Sequence, residues 1–271
     1  MKDLLELLYT AHDRFSSLQA TFRYWYKSDL METASKRWTA QQPLGSVSSE
    51  FRRVMPWRFR LALWLYRFFK KEGSKAQETK GTTEFLWRIW LQKPSRWRYE
   101  SQEVGRAASI SIIDGDRWWY YDPTDNTLHT NVAPKGMGLR IRKSKITLSD
   151  NLINIEQAIN EVPSLDPTFL LVTHTLQLVG SAVHAGREAL RVRAVPRRKE
   201  LIGDPFFWDT ADEYDLLVDK ERGILLRYSA QLNSQEYAVV SAESVVFDEP
   251  IPDNTFSFTP TSSMIVYVVE G

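Results

Sequence analysis

The side chains that could do chemistry in this sequence are few. It holds four histidines, His12, His129, His174 and His184, and no cysteine. No two histidines have the helical spacing, with a carboxylate between them, that holds zinc. No nucleophile elbow, phosphate-binding loop or dinucleotide fingerprint is present either. The absence of cysteine excludes disulfides, thiolate metal sites, thiol catalysis and a lipidated cysteine. His174 and His184 lie ten residues apart and are expected across a hairpin rather than in a shared site. Asp114, Asp116 and Asp122, with Asp125, bracket turns; they could hold calcium loosely, but ordinary turn chemistry accounts for them. The expectation is no catalytic centre, no metal and no cofactor.

What the sequence offers instead is aromatic surface. It has 10 Trp, 11 Tyr and 13 Phe, the bulkiest packing units available, which suit either a wide core or a lined cavity. The densest run is DGDRWWYYDP, residues 114–123, where Trp118, Trp119, Tyr120 and Tyr121 sit between two turn-like pairs. On a strand, Trp118 and Tyr120 share one face while Trp119 and Tyr121 share the other. Such rings either fill a core or wall a pocket for an apolar ligand.

Elements that would position these rings can be read from periodicity. Leu4, Leu8, Ala11, Phe15 and Leu18 recur at steps of three and four, so residues 2–17 read as an amphipathic helix. In residues 18–27, Phe22, Tyr24 and Tyr26 alternate with Thr21, Arg23 and Trp25, as on a half-buried strand. Residues 28–50 are mixed and polar and read as a loop, and 70–81 as a second polar connector. TTEFLWRIWLQ puts Phe85, Trp87, Ile89 and Leu91 on one face. After a turn at Lys93-Pro94-Ser95, RWRYE returns with Trp97 and Tyr99. Short connections make this an antiparallel meander. A helix is expected over 149–162 and a short one over about 167–173, begun by Asp166-Pro167. Strands then resume in LQLVG, REALRVRAVP, EYDLLVD, GILLRYSAQ and EYAVVSAESVVFD, with a tight hairpin at Glu221-Arg222-Gly223.

These hairpins resemble those of lipoprotein carriers of the LolA type. The likeness rests on WLQKPSRWRYE and DGDRWWYYDPTDNTLHT, with Pro94, Trp97, Arg98, Tyr99, Asp114, Gly115, Trp118, Trp119, Tyr121, Asp122 and Pro123 at the matching places. LDPTFLL, AGREALRVRAVP, YDLLVDKERGILLRY and FDEPIPDNTFSFTP are similar to the second half of the same superfamily, which includes LppX-like mycobacterial lipid-binding lipoproteins and RseB-like regulators. The resemblance covers roughly 1–30 and 82–260. It implies a mainly β fold with helices (α+β): a strongly curved antiparallel sheet, an unclosed half-barrel, with helices in its concave face and an apolar cavity between. It implies a single domain over 1–271, with a basic aromatic insert at about 28–81. It also implies a non-enzymatic binder of acyl chains or of a lipidated or apolar partner segment. The alternative is an RseB-like protein-interaction or regulatory module without a lipid ligand. Strand parity nominates Phe22, Tyr24, Trp87, Ile89, Trp97, Tyr99, Trp118, Tyr120, Leu216 and Leu226 as the wall.

FRRVMPWRFRLALWLYRFFKK, residues 51–71, can be a helix with Trp57, Leu61 and Trp64 on a broad apolar face and Arg60 and Arg67 on a basic one; a strand reading also fits. Such a segment suits a lid over the sheet, peripheral contact with an anionic membrane, or a partner surface. RVRAVPRRK, residues 191–199, reads as a basic sheet edge carrying Arg191 and Arg193. With 35 basic and 34 acidic residues no global field favours nucleic acid. The opening MKDLLELLYTAHDRF, with Asp3, Glu6 and Asp13, is unlike a secretory leader. If Met1 is the native start, the expected place is the cytoplasm, peripheral to the membrane; if a leader was removed, it is the periplasm or another extracytoplasmic space.

Overall fold

A computed structural model describes residues 2–40, 81–132, 142–143, 162–197 and 211–268. The chain opens with helix α1 (Lys2–Tyr9) and a 3-10 turn (Ala11–Asp13), then strand β1 (Ser17–Lys27) and helix α2 (Ser28–Ala40). Strands β2 (Thr82–Gln92), β3 (Arg96–Glu103), β4 (Ser109–Asp114), β5 (Arg117–Asp122) and β6 (Thr127–Thr130) follow as a meander, then β7 (Arg142–Lys143). Helix α3 (Phe169–Thr173) leads into β8 (His174–His184), β9 (Arg187–Pro196), β10 (Glu213–Asp219), β11 (Leu225–Leu232) and β12 (Gln235–Phe247). A 3-10 turn (Asp253–Phe256) and β13 (Ile265–Val268) end the described chain.

The thirteen strands form one sheet in the order β7-β13-β6-β5-β4-β3-β2-β1-β12-β11-β10-β9-β8. All neighbours are antiparallel except β13, which runs parallel to both β6 and β7. The first strand stands between the two meanders, paired through Tyr24 to Phe85 of β2 and to Val240 of β12. The sheet is not flat on the β8 side. His184 Nε2 of β8 lies 3.0 Å from Ser241 Oγ of β12. Four strand steps at ~4.8 Å each would hold flat strands about 19 Å apart, beyond the reach of two such side chains.

One face of the sheet carries the main core. Leu4, Leu7 and Leu8 of α1, Phe15, and Val162, Leu165 and Leu170 around α3 pack into the same cluster as Phe22, Ile89, Trp97, Leu216 and Tyr228 of the strands. The helices therefore lie on that face. α1 approaches the β10–β11 turn so closely that a Cβ at Gly223 would collide with the Leu7 carbonyl oxygen; Gly223 also has φ +79°, a conformation open to glycine and strained for other residues. The opposite face of β2 to β5 is covered by the C-terminal segment, whose Ile251, Phe256 and Phe258 meet Trp90, Ile110, Ile112 and Trp119.

Several expectations need correction. The first helix stops at Tyr9, where the Thr10 hydroxyl bonds back to the Glu6 carbonyl at 2.9 Å. The part of the expected 28–50 loop that is described is a helix: in SDLMETASKRWTA, Leu30 and Met31 pack on the core, Ala34 is buried, and Lys36 pairs with Glu32 one turn away. His174 and His184 stand at opposite ends of one strand, not across a hairpin. The basic stretch at 191–196 is in β9, one strand in from the edge. The helix expected over 149–162 lies, but for Val162, outside the described residues.

Candidate functional site

All ten nominated wall residues meet in the main cluster. Phe22, Ile89, Trp97, Trp118, Leu216 and Leu226 are buried in it, and Tyr24, Trp87, Tyr99 and Tyr120 are half-buried against it. Register explains the grouping. Trp97 of β3 pairs with Leu91 and Ile113, and Ile113 pairs with Trp118, so one alternate set of residues crosses β2 to β5 on a single face. The aromatic run of β5 serves both sides. Trp118 and Tyr120 face the main cluster, Trp119 joins the outer one, and Tyr121 sits 5.5 Å from Phe258.

The rings form chains across strands. Tyr24 lies 5.6 Å from Phe85 and 5.0 Å from Trp87; Trp87 lies 6.3 Å from Tyr99, and Tyr99 6.3 Å from Trp97. A second chain runs from Tyr120 to His129 at 6.2 Å and on to Tyr267 at 4.9 Å. Phe85, Tyr26, Tyr214, Tyr228 and Tyr237 belong to the same face and were not nominated. For Tyr26, Phe85, Tyr214 and Tyr228 the signal was available, since each stands two residues from a nominated position on the same strand. His129 and Tyr267 depend on the parallel pairing of β13, for which the sequence holds no sign.

Burial disfavours the charged form of three tyrosines and one histidine of this face. Burial pushes the hydroxyls of Tyr24 and Tyr228 well above the usual phenol range, and that of Tyr120 upward with help from Asp122. Burial also lowers the His129 imidazole. The result is an apolar surface studded with hydroxyls that stay protonated. At the α1 end, cations cap it: Lys93 Nζ stands 4.4 Å over the Phe15 ring, and the Arg187 and Arg222 guanidinium carbons stand 4.8 and 5.3 Å over Phe247.

The other candidates separate from this face. Arg191 pairs with Asp215 at 3.0 Å and Arg193 with Glu213, each across to β10. They belong to a belt on the opposite face with Arg227 and Glu236, and with Arg23 between Glu84 and Glu243. The turn aspartates do turn chemistry: Asp122 accepts from the Thr124 amide at 2.9 Å, and Asp114 pairs with Arg96 and Arg117. No group of three or more metal-ligating side chains occurs among the described residues. His174 is buried, its Nδ1 2.7 Å from the Thr173 hydroxyl and its ring edge-on to Tyr214, with no hydrogen bond at Nε2. Burial, with Arg197 nearby, lowers it to about 4. Trp57, Arg60, Leu61, Trp64 and Arg67, the lid or membrane-contact candidates, lie outside the described residues.

Two hollows are open and charged, and neither includes a wall residue. One of about 470 Å³ is lined by Gly186, Arg187, Glu188, Asp219, Lys220 and Glu221. The other, of about 290 Å³, lies along Arg23, Trp25, Arg227, Glu236 and Ser241.

No family model matches the sequence, and no curated protein matches it closely. Among solved structures, MucB matches at 14% identity and a TM-score of 0.47, over 98% of this chain and 64% of that one. The Pseudomonas aeruginosa MucA/MucB complex matches at 16% identity and a TM-score of 0.46, over 95% and 60%. This chain thus spans about three fifths of the MucB chains' length. The Mycobacterium tuberculosis lipoprotein LppX matches at 10% identity and a TM-score of 0.41, over 93% and 98%. In its chain course the protein is similar, at low sequence identity, to MucB, LppX and a LolA superfamily protein from Nitrosomonas europaea.

Proposed function

We propose that this is a non-enzymatic binding protein whose sheet is rolled into an unclosed half-barrel, and whose aromatic inner face takes a lipid acyl chain or a lipidated or apolar partner segment. The observation that carries the reading is the continuous set of rings Tyr26, Tyr24, Phe85, Trp87, Tyr99 and Trp97 on the helix-bearing face, with Tyr24, Trp87 and Tyr99 only half-buried. Half-buried rings leave apolar surface for a ligand to cover, and each methylene so covered contributes about 0.8 kcal/mol. Burial of these tyrosine hydroxyls and of His129 disfavours their charged forms, which favours a hydrocarbon over an ionic ligand. The bend that brings His184 to Ser241 supports a rolled sheet.

The test is mass spectrometry of an organic extract of the purified protein beside a Trp87→Ala, Trp118→Ala variant of verified fold. A second arm follows quenching of tryptophan fluorescence by a spin-labelled fatty acid. A lipid bound in stoichiometric amount and lost in the variant supports the reading. Empty extracts with no quenching reject a lipid ligand and favour the alternative, a protein-interaction or regulatory module without one, as MucB forms a complex with MucA.

A further inference from the structure

The two ends of the sheet differ in length and charge. β7 is two residues long, both basic by type, whereas β8 has eleven residues, HTLQLVGSAVH, with no charge and no proline. Natural sheets protect an edge by shortness, by lysine, by proline or by covering it. β8 pairs only with β9 among the described residues. Leu178, Val179 and Val183 on it are 44%, 55% and 74% exposed, and Val172 before it and Val195 on β9 are exposed as well.

We propose that β8 is a self-association edge, on which a second copy of this chain adds its own β8 antiparallel. Charge chooses the occupant. A quarter of the chain is charged, yet this strand has none, and the nearest charges on β9 are already matched: Arg191 by Asp215, Arg193 by Glu213 and Glu188 by Lys220. Apart from Arg197 beside His174, a charged peptide would find little counter-charge there, whereas a neutral strand suits its like.

A two-fold axis through Val179, the middle residue of β8, sets each half of the strand against the other half of its copy, the isologous arrangement of two-fold dimers. No Asp, Glu, Lys or Arg meets another in it, and His174 of one copy stands opposite His184 of the other. The bulge between Leu178 and Gly180 adds twist and splits the free edge into two stretches, which the axis places opposite one another. The paired edge would run about 35 Å at ~3.4 Å per residue. This inference is independent of what the aromatic face binds.

The experiment is sedimentation equilibrium of the full chain across the micromolar range, with Val179→Lys and two single-cysteine variants. The chain has no native cysteine, so Val179→Cys reports the axis directly. Val104→Cys, 63% exposed in the β3–β4 turn, is the control. Expected are a dimer for the native protein, a monomer of unchanged melting temperature for Val179→Lys, and a disulfide-linked dimer for Val179→Cys but not Val104→Cys under mild oxidation. A native monomer at every concentration overturns the proposal. So does a dimer that Val179→Lys leaves intact, or a monomer that instead captures an extended apolar peptide at this edge. If Val179→Lys fails to fold, the cysteine pair decides alone.

Discussion

His184 Nε2 reaches the Ser241 hydroxyl at 3.0 Å although their strands stand four places apart in the sheet. The contact requires that the β8 to β12 half is not flat, and His184 lies partly buried beside Arg227. Burial first, and the Arg227 charge second, lower the His184 imidazole from its ordinary value.

Replacing Arg227 by Gln should therefore raise the His184 titration midpoint, because it removes a repelling cation and frees Glu236 from its ion pair. Proton NMR of the imidazole against pH measures it. A midpoint unmoved in Arg227→Gln would leave burial as the whole cause.

His174 should make stability depend on pH. It is buried and neutral when folded, titrating at about 4, whereas in the unfolded chain it titrates near 6.5. Between these values the unfolded state binds more protons, so stability is full above about 6.5 and falls as the pH drops toward 4, by roughly 3 kcal/mol in all. A His174→Leu variant should lack this component. Denaturant unfolding at pH 7 and pH 4.5 should give a smaller pH difference in the variant than in the native protein.

Gly223→Ala should lower stability by about 1–3 kcal/mol, since alanine is strained at φ +79° and its Cβ meets the Leu7 carbonyl of α1. Moving α1 away would relieve the collision but expose Leu4, Leu7 and Leu8. Chemical denaturation gives the loss, and faster amide exchange in residues 4–9 would locate it.

The two tryptophan layers should separate by phenotype. Trp119→Ala removes a ring from the outer cluster of Ile251, Phe256 and Phe258 and should cost about 2–3 kcal/mol in stability while leaving fatty-acid quenching unchanged. Trp87→Ala, on the half-buried inner face, should weaken fatty-acid binding more than it lowers the melting temperature. Equal loss of binding in both variants would contradict the assignment of the faces.

Strand parity and short turns made part of the inner face legible: Trp87, Trp97 and Trp118 could be placed together from alternation along the β2 to β5 meander, whereas Phe22 and Tyr228 could be given a parity on their own strands only. α2 was hidden by its polarity, because Leu30, Met31 and Ala34 form a narrow stripe among charged neighbours. Arg191 and Arg193 looked like an unmatched basic run because Asp215 and Glu213 oppose them from another strand. Neither the parallel pairing of β13 nor the central place of β1 has a local signature; both depend on residues more than a hundred positions apart.

That central place of β1 bears on how the chain is made. β1 gains β2 as a neighbour, but its other edge waits for β12, and Leu18 pairs with Phe247 only after nearly the whole chain exists. Each meander has contacts that close locally, whereas the joint between them closes across more than two hundred residues, the kind of contact that slows folding. During synthesis the nascent first strand should therefore present an open edge until β12 emerges, which makes the union of the two halves the expected slow step of folding.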